Sequence, residues 1–180
     1  MRTVDSPDIT KSVQEPVMLV IADTSPLHYL VPIEQTAILP TLFGHVLIPP
    51  AVAEELQRPR TPAAVRAWME SPPAWLAIRS PREPMVSTAL RLGAGAQEAL
   101  SLAQELHADL VLLDDMEARV EAERCGLAVM GTLRVLELAA ERGLLDFQAA
   151  IAQLAATSFH LPSQLVQDRL ARDADRKKPM

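Results

Sequence analysis

The chain has 180 residues, 49% of them hydrophobic and 22% charged, with 17 basic against 23 acidic side chains and a formal net charge of -6. Disorder would require fewer apolar residues and more charge, and a single cysteine, Cys125, excludes a disulfide framework and any multi-cysteine zinc site. The net acidity excludes a polycationic surface, so contact with nucleic acid has to come from a local basic patch.

Residues 1–16 are polar, carry Pro7 and Pro16 and show no apolar period, which predicts a loose arm without the pattern of a signal peptide. The apolar run that follows, Val17–Ala22, is far shorter than the ~20 residues that span a bilayer. A cytoplasmic protein with no membrane contact is expected. Val17–Ala22 itself is rich in β-branched residues without alternation, as in a parallel strand covered on both faces. Thr24-Ser25-Pro26 then offers a hydroxyl cap and a proline for a first helical turn. Val46–Ile48, with His45 in front, reads as a second strand. Pro50–Gln57 reads as a short helix limited by Pro59, and Thr61-Pro62 starts another that runs to Glu70.

Ala94–His107 is the clearest helix, followed by a strand at Leu110–Leu113. Asp115–Arg124 and Thr132–Arg142 are helices closed by Gly126 and Gly143, with a further strand at Leu127–Met130 between them. Asp146–Ala156 and Pro162–Arg172 complete the helices, and residues 173–180 read as a loose tail. The pattern predicts one domain over residues 17–172, an α/β fold with a parallel sheet of about four to five strands and helices on both faces.

In such sheets function collects at the carboxyl ends of the strands. Asp23 ends the first strand, and Asp114 and Asp115 end the third, with no basic neighbour in sequence. Adjacent strands lie about 4.8 Å apart, so these carboxylates converge if their strands are neighbours. Mutual repulsion then favours a divalent cation, and an oxygen-only donor set suits Mg²⁺ or Mn²⁺ rather than zinc. Two glutamates are positioned to complete the set. Glu55 projects near the buried stripe of its helix, marked by Val52 and Leu56, whereas Glu54 faces water. Glu98 sits in a first helical turn at the margin of an apolar face. Singly, each has a structural explanation. A strand-terminal Asp can be a loop residue, one of Asp114 and Asp115 can be the cap of the next helix, and Glu98 can simply meet a helix dipole.

Other chemistries fail on the residues. Gly93-Ala94-Gly95 is no dinucleotide fingerprint, because the third glycine position is Glu98. Ser25 has no histidine partner that pattern picks out for covalent catalysis, and it also stands where an aspartyl phosphatase needs a second Asp. His28, His45, His107 and His160 lack ligand spacing, Cys125 reads as a structural thiol, and Trp68 and Trp75 suit packing as readily as base stacking.

The ordered runs VIADTSPLHYL, IPPAVAEEL, GAGAQEALSLAQEL, ADLVLLDDMEAR and GTLRVLELAAERGLLD resemble those of PIN-domain proteins, in particular the small prokaryotic branch related to VapC-type toxins. The resemblance runs from about Val17 to Arg172. It implies a parallel sheet with an acidic pocket that binds Mg²⁺ or Mn²⁺ and hydrolyses RNA. Position by position, it assigns catalytic roles to Asp23, Glu55, Glu98 and Asp114, and metal ligation to Asp23, Asp114, Glu98 and Asp115, the last as the alternative to Asp114. Ser25 matches the small hydroxyl residue after the first acid. Close relatives often carry Glu where this chain has Ala96, one carboxylate fewer for the metal. Arg58, Arg60, Arg66, Arg91 and Arg119 lie near the motifs as candidate phosphate contacts, and Arg119 is also spaced to pair with Asp115 along its helix. The implied partners are an RNA substrate, a cognate antitoxin and a second copy of the chain. The competing expectation is an inactive PIN module that binds RNA or a protein.

Overall fold

The computed structural model describes residues 18–83 and 92–178. The N-terminal arm, Val17, Arg91 and the last two residues lie outside them. Five parallel strands form one sheet: β1 (Val20–Ala22), β2 (Val46–Ile48), β3 (Leu76–Ile78), β4 (Leu110–Leu112) and β5 (Val129–Met130). Their spatial order is β3-β2-β1-β4-β5, so β1 is central and its neighbours are β2 and β4. Val20 stands opposite Leu110, Ile21 opposite Val111 and Ala22 opposite Leu112.

Every side chain of β1 and β4 is buried, and alternate residues feed opposite faces, as a pleated strand requires. Val20, Ala22, Leu110 and Leu112 enter the larger core. Ile21 and Val111 enter the smaller one. The larger core packs against helices α1 (Thr24–Leu30), α2 (Ile38–Phe43), α3 (Pro50–Leu56), α4 (Ala63–Glu70), α7 (Thr132–Glu141) and α8 (Phe147–Ala155). The smaller packs against α5 (Ala94–Leu106) and α6 (Met116–Arg124). Each fully buried Leu, Ile or Val contributes roughly 1.5–3 kcal/mol, and both faces of β1 and β4 are covered by such residues. Trp68 and Trp75 pack on the larger core with ring centroids 6.0 Å apart.

The expected strand and helix pattern is present with three differences. Strand β3 was not predicted. Its three residues are apolar but follow Pro72 and Pro73 and make a short run, only Leu76 is buried, and pairing with β2 defines the strand. Helix α2 was not predicted either. Its Pro40 looks like a breaker, but it stands in the first turn, where no intrahelical N–H bond is lost. Helix α9 runs Ser163–Arg176, so residues 173–176, read from sequence as the start of a loose tail, are helical. The reason is Asp173, buried against the fold and paired with Arg176 and with Lys177 at 2.8 Å. Among the described residues no helix is long and apolar enough to cross a membrane.

Candidate active site

The register of β1 and β4 brings the two strand-end acids to one edge. The ladder continues one residue beyond β1, where the Asp23 amide donates to the Leu112 carbonyl at 2.9 Å. Asp23 then turns the chain into α1 from an extended backbone, and its carboxylate makes no capping bond there. The side chain is buried, with the residue only 7% exposed. Burial pushes its carboxyl from 3.8 up to about 7; the Thr24 amide opposes this, and the charges of Glu55, Asp114 and Asp115 add to it. A carboxylate so placed is electrostatically uncompensated.

Asp114 is held differently. Its Oδ1 accepts the Thr132 amide at 2.7 Å and its Oδ2 accepts the Thr132 hydroxyl at 2.6 Å. Thr132 is completely buried as the first residue of α7, directly after Gly131 and β5. Burial raises the Asp114 carboxyl, while the Thr132 bonds, the Ser25 hydroxyl and the Arg119 charge lower it. The Ser25 Oγ is enclosed beside Asp114 without a hydrogen bond of ordinary geometry. Gly131 is required here by close approach. A Cβ at this position would stand 2.9 Å from Asp114 Oδ1 and 3.0 Å from Arg119 Nη1.

Asp115 is the N-cap of α6, with Oδ1 accepting the Ala118 amide at 2.8 Å. The ion pair expected between Asp115 and Arg119 is not formed. Asp115 is committed to its cap, and the Arg119 guanidinium reaches across Gly131 towards Asp114 instead.

Glu55 stands behind Asp23. It accepts the Thr24 hydroxyl on Oε2 and the Gly95 amide at 3.0 Å on Oε1, and Arg58 lies 3.7 Å away. A Cβ on Gly95 would lie 2.6 Å from Glu55 Oε2, so this junction of α1, α3 and α5 also depends on a bare backbone. Glu54 is exposed. Glu98 is not brought to Asp23 or Asp114 by any described contact. Its Oε2 accepts the Ala51 amide at 2.9 Å and so satisfies the first turn of α3. Ala96 is buried in the smaller core. Arg66 bonds the Thr61 carbonyl.

The acids open into a cleft of about 770 Å³. Asp23, Asp114 and Asp115 line it together with Arg119, Arg134 and Arg169. Tyr29 and Phe159, also in the lining, meet edge to face at 4.9 Å. His28, whose imidazole burial holds below its usual pKa, and the exposed His160 also line it. Sequence reasoning missed Thr132, Arg134, Phe159 and Arg169. For Thr132 a signal existed, since Gly131-Thr132 follows a strand adjacent to the one that ends in Asp114. The others reach the cleft only through tertiary packing of α7, of α9 and of the segment leading into α9.

Among the described residues, no three carboxylate, imidazole or thiol groups are gathered closely enough to form a closed metal site. The donor chemistry still fits a hard dication. Asp23 is a buried, uncompensated oxygen donor, and Asp114 stands at the same strand edge with the Thr132 amide and hydroxyl, the Ser25 hydroxyl and one cation beside it, so the side-chain donors on offer are oxygens.

No curated protein matches the chain. Among solved structures, a PilT N-terminus domain protein, SSO1118, from the hyperthermophilic archaeon Sulfolobus solfataricus P2 is similar, with a TM-score of 0.44 and 14% identity over 81% of this chain and 100% of that one. The family model DUF3368, described as a PIN domain, matches residues 19–174. That match spans the whole sheet and every acid described above, and the chain belongs to the PIN-domain family.

Proposed function

We propose that the chain is a metal-dependent endoribonuclease that hydrolyses RNA phosphodiester bonds, acting in the cytoplasm as the toxin-like member of a toxin–antitoxin pair. PIN domains are typically nucleases. The observation that carries the reading for this chain is Asp23, a buried carboxyl pushed up to about 7 beside three further acids at the edge of the sheet. Strongly perturbed groups in a cleft mark functional sites.

Asp23 and Asp114 would hold Mg²⁺ or Mn²⁺, with Asp115 beside them, and the ion would supply an acidified water and charge neutralisation at the phosphate. The remaining work falls to the chain. Thr132 fixes both oxygens of Asp114. Glu55 anchors Thr24, and through it the backbone that aims Asp23. Glu98 secures the start of α3 and so the helix that carries Glu55. The cleft's arginines supply positive charge to its lining, and the Tyr29–Phe159 ring pair gives it an apolar part. Support for a protein partner comes from Met116 and Val120, 70% and 55% exposed one turn apart on α6, with Met116 at the cleft itself. A cognate antitoxin and a second copy of the chain are the proposed occupants.

A second reading, an inactive module that binds RNA or protein, is favoured by the full engagement of Asp114 with Thr132 and by Ala96. Incubation of labelled single-stranded RNA with the protein separates the two readings. Cleavage that requires Mn²⁺, stops with EDTA and is lost in Asp23→Asn supports the nuclease. RNA that is bound but stays intact under all three conditions supports the inactive module.

A further inference from the structure

We infer that Arg119 is the cleft's internal cation: it opposes metal binding at Asp114 and anchors a phosphate of the substrate, and Gly131 gives it access to both. The inference rests on the nuclease reading, both for the metal at Asp114 and for the phosphate's identity as RNA.

Three observations carry it. First, the natural partner of Arg119 on its own helix is unavailable, because Asp115 caps α6 through the Ala118 amide. Second, the guanidinium crosses Gly131 to the Asp114 side. The point where a Gly131 Cβ would stand lies 3.0 Å from Arg119 Nη1 and 2.9 Å from Asp114 Oδ1. Among the described residues, no contact ion pair closes between Arg119 and Asp114 across this gap. Third, the other two arginines of the cleft are engaged. Arg134 pairs with Glu137 and Glu141, each at 2.8 Å, and Arg169 pairs with Glu137. Among the described residues, Arg119 is therefore the cleft arginine that has no carboxylate in contact.

A guanidinium offers a planar fork of donors that matches phosphate oxygens. Placed beside Asp114, it also repels a second cation. These two effects have opposite signs when the charge is removed. A residue that merely braces the site would, on removal, weaken metal and phosphate binding together.

The test uses the full chain carrying Arg119→Gln, with Arg119→Lys as the conservative variant and thermal melting as the fold control. Mn²⁺ affinity is read by calorimetry, and binding of a fluorescent single-stranded RNA is read in EDTA, where cleavage does not intervene. For Arg119→Gln we expect Mn²⁺ to bind about fivefold more tightly and RNA about tenfold more weakly. The melting temperature should be unchanged, and Arg119→Lys should restore part of the RNA affinity. Weakening of both ligands, or no change in either, overturns the inference. If the wild type binds no Mn²⁺, the nuclease reading falls and the metal half of the inference is overturned with it, and the RNA measurement decides the other half: weakened binding upholds the phosphate anchor and unchanged binding overturns it.

Discussion

Two clusters of charge lie on the same side of the molecule and solve the same problem differently. Along α7 and α9, acids and bases alternate and close on one another. Glu137 takes Arg134 and Arg169, Glu141 takes Arg134, and Asp173 takes Arg176 and Lys177. The hydrogen bond from Arg134 holds the Glu141 carboxyl below its usual range. At the end of β1 and β4 the acids gather without that compensation, and burial drives Asp23 and Asp114 upwards. Arg169 and Arg134 border both regions. Their positive charge is nevertheless spent on the helix side. The first cluster is architecture, fastening a polar C-terminal helix that buries only Asp173 fully. In the second, Thr132 holds Asp114 and the cap of α6 holds Asp115, while the buried Asp23 carboxylate is left uncompensated, and such a buried charge persists when binding a ligand offsets its cost.

The comparison breaks most visibly at Asp23. Its carboxyl stands at about 7 in the folded chain against 3.8 in isolation. The folded state therefore retains a proton that the unfolded state has already lost. The stabilisation is complete below about pH 4 and disappears as pH rises through 7. In metal-free protein, Asp23→Asn should gain stability over the wild type by up to roughly 4 kcal/mol between pH 4 and pH 8. Urea unfolding in EDTA at several pH values measures this, and a constant difference between the two proteins would contradict it.

On the other side, Glu137→Ala leaves Arg169 without its carboxylate in a site where the arginine side chain is 18% exposed. A loss of about 2–3 kcal/mol is expected, discounted from a fully buried pair because Arg134 is more exposed. Unfolding of α9 ahead of the core should accompany it, read by hydrogen exchange, while Mn²⁺ affinity stays within about twofold. The smallest effect sharpens the boundary between the regions. Glu98→Ala removes the acceptor for the Ala51 amide, which should cost about 1 kcal/mol by the scale of helix caps. Mn²⁺ affinity should fall less than about threefold, because Glu98 acts through α3. A loss as large as that of Asp23→Asn would return it to the ligand set.

Much of this was legible in the chain. Val17–Ala22 reads as a strand covered on both faces and Leu110–Leu113 as a strand, and the parallel pairing of the two in the fold puts Asp23 and Asp114 at one edge. The stripe of Val52 and Leu56 separated Glu55 from the exposed Glu54. The sequence could not say which acids the fold had already engaged. Periodicity put Glu98 on the right face, but only tertiary structure shows its carboxylate at the start of α3, 47 positions away. The same holds for Asp114 and Thr132, which are joined by strand adjacency rather than by spacing. Edge strand β3 escaped because backbone pairing defines it and its side chains do not.

The most direct measurement is calorimetric titration of Mn²⁺ into wild type and Asp23→Asn at pH 6 and pH 8. Binding at pH 8 that weakens about tenfold at pH 6, with proton release, and vanishes in Asp23→Asn is the predicted result. Absence of binding at pH 8, or equal affinity in the variant, would contradict the claim that Asp23 is the uncompensated centre of a cation site.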